Sequence, residues 1–81
     1  MSINKLNNIE IGGYNFNYTG MVCSKTNKPH GYGRAIDTDN FWFYEGQFKN
    51  GERHGYIRGI DYNGDIEHWE FSNGEEVRSW K

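Results

Sequence analysis

Aromatic residues fall on alternate positions through the second half of the chain. Trp42, Tyr44, Gly46 and Phe48 share one side of an extended segment, with Phe43, Glu45 and Gln47 on the other. Tyr56, Arg58, Ile60 and Tyr62 alternate with Ile57, Gly59 and Asp61, and Glu67, Trp69 and Phe71 alternate with Ile66, His68 and Glu70. A period of two with rings on one side predicts a half-buried antiparallel sheet. Asn-Gly dipeptides separate these segments at Asn50-Gly51, Asn63-Gly64 and Asn73-Gly74. Asn-Gly readily takes the positive φ needed at both central positions of a type I′ turn, so each pair predicts a tight hairpin. The expected fold is all-β, a twisted antiparallel meander of about six or seven strands, with no helix longer than about two turns.

The hairpins repeat. One stretch starts at Tyr18 and a second at Tyr44. Both open Tyr-x-Gly (Tyr18/Gly20, Tyr44/Gly46), reach His-Gly-Tyr (His30 to Tyr32, His54 to Tyr56), and continue to Arg and Ile-Asp (Arg34, Ile36-Asp37; Arg58, Ile60-Asp61). A degenerate third copy follows from Glu67, where Phe71 matches Phe48 and Asn73-Gly74 matches Asn50-Gly51 at a spacing of 23. A period in the low twenties marks an array in which each unit is one supersecondary element. The expected organisation is a single domain over residues 1–81. Its repeats cover about 18–43, 44–66 and a degenerate 67–81, and 1–17 form an N-terminal strand or cap. Gly20 and Gly46 share a repeat position, as do Gly31 and Gly55. A recurring strand glycine predicts either a neighbouring ring lying flat over the backbone or a sharp bend in the sheet.

These residues resemble the MORN repeat (membrane occupation and recognition nexus). Tyr44, Gly46, Phe48, Gly51, Gly55, Tyr62 and Gly64 follow that family's pattern, with Ile57 standing where a second glycine is expected. The first copy keeps Gly31-Tyr32-Gly33 but has Val22 for the aromatic, and the third keeps only Phe71 and Gly74. The resemblance implies a row of hairpins in an elongated, twisted single-layer sheet. It also implies an interaction and assembly module, often dimeric, with phospholipid binding or service to a larger enzyme as alternatives.

Composition narrows the reading. A chain of 81 residues is one small domain, burying only about 60% of its unfolded surface. Rings make up 17% of it and there are eleven glycines, which favours strands over helices. The net charge of −2 argues against nucleic acid, which needs a clustered basic surface, and weakens attraction to anionic membranes. Lys25, Lys28 and Arg34 read as a solvated basic loop. Cys23 is the single cysteine, so no internal disulfide can form, as suits a reducing compartment. The start shows no apolar core of a signal peptide, and the expected location is cytoplasmic.

Candidate chemistry is sparse. His30 and His54 are repeat equivalents, expected two strands or about 10 Å apart, too far for zinc ligands whose donors lie within about 4 Å of each other. They read as structural turn histidines, and His68 as exposed on the face opposite the rings. Cys23 reads as a free thiol on a strand, lacking an orienting group or oxyanion donor. Asp37/Asp39, Asp61/Asp65 and Glu75/Glu76 read as solvated pairs. Gly31-Tyr32-Gly33 lacks the later glycine and helix of a phosphate loop. No catalytic residue, metal, cofactor or small-molecule substrate is expected. The ring-bearing face is the candidate site. A single-layer sheet leaves it uncovered unless the sheet curls enough to cover its own rings, and Trp42, Tyr44, Phe48, Trp69 and Phe71 are expected to carry contact with a protein partner or a second copy. Trp69 and Phe71 are favoured because they lie in the worn last copy.

Overall fold

The computed structural model describes residues 2–80. Seven strands run β1 (Ser2–Ile11), β2 (Tyr14–Val22), β3 (Pro29–Asp37), β4 (Phe43–Lys49), β5 (Glu52–Ile60), β6 (Ile66–Ser72) and β7 (Glu75–Trp80). They pair antiparallel in sequence order, forming one open sheet with no crossover. The all-β meander read from the alternation is therefore the fold, and no helix occurs among the described residues.

Turn chemistry sets the hairpins. Asn50 and Gly51 have φ of 52° and 84°, the mirror-image turn that matches strand twist. Asn73-Gly74 makes the same two-residue turn between β6 and β7, and so does Gly12-Gly13 between β1 and β2. The Asn63-Gly64 pair behaves differently. It sits in a five-residue loop, 61–65, in which the Asp61 carboxylate accepts from the amides of Asn63 (2.9 Å) and Asp65 (3.0 Å). The local bond from an aspartate that closes its own turn displaces the expected tight hairpin.

Each later turn is also tied back to the previous unit. The Asn50 amide donates to His30 Nδ1 (3.3 Å) and the Gly51 amide to the Pro29 carbonyl (2.9 Å). One repeat on, Asn73 donates to His54 Nδ1 (3.0 Å) and Gly74 to the Arg53 carbonyl (2.9 Å). The repeated histidines thus receive turn amides that would otherwise face solvent, and this is why they recur with the Asn-Gly pairs.

The sheet curls. Its thinnest dimension is 19 Å, roughly double that of a flat layer of about 10 Å. Register shifts interrupt the β1–β2, β2–β3, β4–β5 and β6–β7 pairings, with the extra residues in β1, β3, β5 and β7, and they bend those strands. At Gly46, φ is +151° and a side chain would overlap the Tyr56 carbonyl and the Ile57 Cα. Gly20 repeats this, with the Gly33 Cα and Tyr32 carbonyl in the way, so the Gly20/Gly46 position needs glycine for close backbone approach, while the foreseen bend falls at Gly31 and Gly55, among the extra residues of β3 and β5. The other foreseen device, a ring over backbone, occurs two residues beyond Gly31 and four beyond Gly55. The Tyr18 ring lies on Gly33 and the Trp69 ring on Gly59, each filling the volume of an absent side chain.

The curl lets one face bury its own residues. Ile11, Phe16, Tyr18, Val22, Ala35, Phe48, Ile57 and Phe71 form the core, and Tyr18 is 0% exposed. Tyr18 meets Phe48 edge to face at 5.2 Å, and its hydroxyl donates to the Met21 carbonyl at 2.7 Å. The orientation of β5 corrects the simplest reading of its alternation. Ile57 and Gly59 face the core, whereas Tyr56 is exposed on the outer side. Two smaller expectations also change. Cys23 lies just past β2 rather than on a strand. Asp37 is not solvated, being only 4% exposed.

Candidate functional site: an aromatic mouth on the concave face

The β3–β4 connection, residues 38–42, contributes Asn40 and Trp42 to a cleft shared with Tyr44 and Arg53. Asp37 builds it from beneath. Its carboxylate accepts from the Asp39 amide (2.9 Å), the Asn40 amide (3.1 Å) and the Asn40 side-chain amide (3.2 Å). Its own backbone closes the loop, donating to the Trp42 carbonyl (2.8 Å) and accepting from the Phe41 amide (3.0 Å). Burial opposes ionisation of Asp37, but these three donors outweigh it and hold the carboxyl below its usual range. The loop is thus fixed by internal bonds, and it presents Phe41 with 71% of its surface exposed at a φ of +58°. A bulky residue in the left-handed region is strained, and here the strained residue displays a ring to solvent.

Beside Phe41, three half-buried rings touch one another. Trp42 stacks on Tyr44 at 5.7 Å with 10° between planes. Trp69 lies 6.2 Å from Trp42 and 5.7 Å from Tyr44. Tyr44 also meets the core ring of Phe16 edge-on at 5.6 Å. The cluster is therefore rooted in the core and open at its rim. Burial raises the Tyr44 pKa, with Arg53 opposing that shift and Asp37 adding to it.

Arg53 is the charged member of this face. Its guanidinium carbon lies 4.4 Å from the Phe71 ring centre and 5.7 Å from that of Tyr44, and one terminal nitrogen sits against Gly12 in the first turn. Burial lowers its pKa. Its Nε is buried and has no hydrogen-bond partner. A cleft of about 240 Å³ opens between Arg53 and the rim, lined also by Tyr14, Phe16, Asp37, Asn40, Trp42 and Tyr44.

Of the five rings expected at an interface, the structure brings Trp42, Tyr44 and Trp69 together at this mouth. Phe48 (3% exposed) and Phe71 (7%) are instead core residues, because the curl covers them. Among the repeat-defining positions, Tyr18 is core, Gly20 and Gly46 lie close against facing backbone, and Gly33 underlies Tyr18. Gly31 and Gly55 are strand residues of positive φ opposite Phe48 and Phe71. Gly51, Gly64 and Gly74 are in turns, and Tyr62 is exposed in the 61–65 loop. Phe41, Asp37 and Arg53 are the site residues that sequence reasoning missed. Arg53 carried a readable signal, since it shares the parity of Ile57 on β5.

The opposite face carries smaller groupings. Glu45 bridges Arg34 (3.5 Å) and Arg58 (2.6 Å). His68 stacks between Tyr56 and Trp80, at 5.8 Å from each, and its Nδ1 lies 2.6 Å from the Tyr56 hydroxyl. No group of three or more His, Cys, Asp or Glu side chains among the described residues is placed to hold a metal ion. No helix among them is long and apolar enough to cross a membrane.

Comparison with curated proteins and with solved structures gave no match. The MORN repeat family model matches residues 26–40 and 44–56. The first of these stretches runs through β3 into the loop built on Asp37, and the second runs along β4 and into β5. Each contains one of the two histidines that hold the next turn. These two stretches, residues 26–40 and 44–56, are accordingly MORN repeats.

Proposed function

We propose that the chain is a non-catalytic protein-binding module and that its binding surface is the aromatic mouth of the concave face. MORN repeats suggest a binding or interaction module in general. The observation that carries the finer reading is the cluster of Trp42, Tyr44 and Trp69, three touching rings left half open beside an exposed Phe41 on an internally braced loop. Large rings held rigid before contact lose little conformational freedom on binding, and Trp and Tyr are the side chains most often found to dominate interface energies. The net charge of −2 gives an anionic bilayer no general attraction.

The test is selection of a displayed peptide library on the folded chain, followed by binding of the selected peptides to Trp42→Ala, Phe41→Ser and Tyr32→Ala variants checked by circular dichroism. The expected result is selected peptides whose affinity falls at least about tenfold with Trp42→Ala and is unchanged with Tyr32→Ala on the other face. Loss with Tyr32→Ala alone would move the surface to the convex side. Failure to select any peptide, together with salt-sensitive flotation on phosphatidylserine vesicles, would replace the reading with a lipid-surface one. Self-association that competes with the peptides would identify the partner as a second copy.

A further inference from the structure

Arg53 is poorly accounted for by folding alone. It occupies an inward position on β5, four residues from Ile57 and on the same side, where the neighbouring strands place Phe48 and Phe71. Among the described residues no hydrogen bond or ion pair of its guanidinium is seen, and it rests on the Phe71 and Tyr44 faces with a terminal nitrogen against Gly12. A charge taken partly out of water without a partner is costly, and one donor, Nε, is fully buried and unused. Ring faces compensate some of this, but they leave the in-plane donors of the fork unengaged.

We infer that Arg53 is the receptor for a carboxylate presented by an acidic side chain of the partner protein, with a neighbouring apolar group of that partner laid on Tyr44 and Trp42. This rests on the binding-module reading above and names the chemistry of its partner. Arginine's guanidinium binds a carboxylate or a phosphate strongly, here through its terminal N–H groups, because Nε is buried. The cleft discriminates between these two. Asp37 lines the same cleft as Arg53, and Tyr44 responds to both charges. A dianion would be repelled by Asp37 more strongly than a carboxylate monoanion. The remaining wall is aromatic, and about 240 Å³ admits one ring-sized group beside the acid. Low dielectric around the guanidinium makes the resulting bonds stronger than they would be on an open surface.

The experiment follows the Arg53 Nε–H resonance of the 15N-labelled full chain, assigned by its loss in Arg53→Lys, during titration with phenylacetate, with its neutral counterpart phenylacetamide, and with inorganic phosphate. Phenylacetate is expected to move that resonance and the Trp42 indole N–H with a Kd of roughly 1–10 mM, as suits a ten-atom fragment. Phenylacetamide and phosphate should bind at least about tenfold more weakly. Arg53→Gln should abolish the difference between acid and amide. Equal binding of acid and amide, tighter binding of phosphate, or no response of the Arg53 resonance at 20-fold the expected Kd would overturn the inference. The comparison of ligands on the parent chain needs no variant to fold. Each of those outcomes leaves the peptide selection unaffected, so loss of the carboxylate assignment is separable from loss of the binding-module reading.

Discussion

Replacing Gly33 with alanine tests the self-covering sheet, because two arguments predict opposite signs. Gly33 does not have a positive φ, so alanine suits the backbone. By restricting the unfolded chain it would ordinarily stabilise the fold by about 0.4–1 kcal/mol. The structure says otherwise. A methyl at Gly33 would overlap the hydroxyl oxygen, Cζ and Cε1 of Tyr18. That ring has nowhere to go, since it is 0% exposed, meets Phe48 at 5.2 Å and is tethered to the Met21 carbonyl at 2.7 Å. Overpacking with partial relaxation costs about 1–3 kcal/mol, and expelling the ring would approach the 3–5 kcal/mol of a large aromatic deletion. The expected loss is therefore about 2–4 kcal/mol, much of what a domain of this size holds. Urea unfolding followed by tryptophan fluorescence measures it. In a Tyr18→Leu background the overlap disappears, and the same substitution should then cost under about 1 kcal/mol, a coupling of at least 1 kcal/mol. Gly33→Ala as stable as the parent, or equally damaging in both backgrounds, would refute the packing argument.

Three further expectations follow from particular contacts. Burial pushes the Tyr18 hydroxyl up to about 12 from its ordinary 10.0. With its pKa raised in the folded state, this group's contribution to stability is fully present below pH 10 and is lost between pH 10 and about 12; urea midpoints across that range should fall less steeply in Tyr18→Phe than in the parent. His54→Ala leaves the Asn73 amide without its acceptor, which should cost about 1 kcal/mol and speed hydrogen exchange at that amide roughly fivefold, while the Asn50 amide, held by His30, exchanges as before. Phe71→Ala should destabilise the fold by about 3–5 kcal/mol, because Phe71 is core rather than contact surface; weakened association at unchanged stability would contradict that placement.

Local chemistry was legible in the sequence where it acts through neighbours. Alternation gave the strands, and Asn50-Gly51 and Asn73-Gly74 gave their turns because positive φ at both positions is intrinsic to that pair. Gly12-Gly13 carries the same signal and makes the same turn. Asn63-Gly64 misled because the deciding residue, Asp61, lies outside the dipeptide. The recurring glycines signalled a bend, but the extent of the curl was not legible, since it is set by register shifts that pair residues across strands. That missing curvature is why Phe48 and Phe71 read as exposed. The site was half visible for a related reason. Trp42, Tyr44 and Trp69 stand out as rings on one face, but β5 offers apolar residues on both parities, Tyr56 and Ile60 against Ile57. Only its pairing, Gly46 opposite Ile57, decides the inward side. Reading Tyr56 as inward hides Arg53, which shares the parity of Ile57. Asp37 was missed because a buried aspartate that organises a loop looks in sequence like any loop carboxylate.

The binding role of the aromatic mouth is tested most directly by where a bound partner touches the sheet. Titration of the labelled chain with a peptide selected on it, followed by amide and indole chemical shifts, locates that contact. The account predicts perturbations concentrated on Phe41, Trp42, Tyr44 and Trp69, with the indole N–H of Trp42 and Trp69 among the largest and Tyr32, Ile36 and Tyr56 unmoved. Perturbations centred on Tyr32, Ile36 and Tyr56, with the concave rings silent, would contradict it.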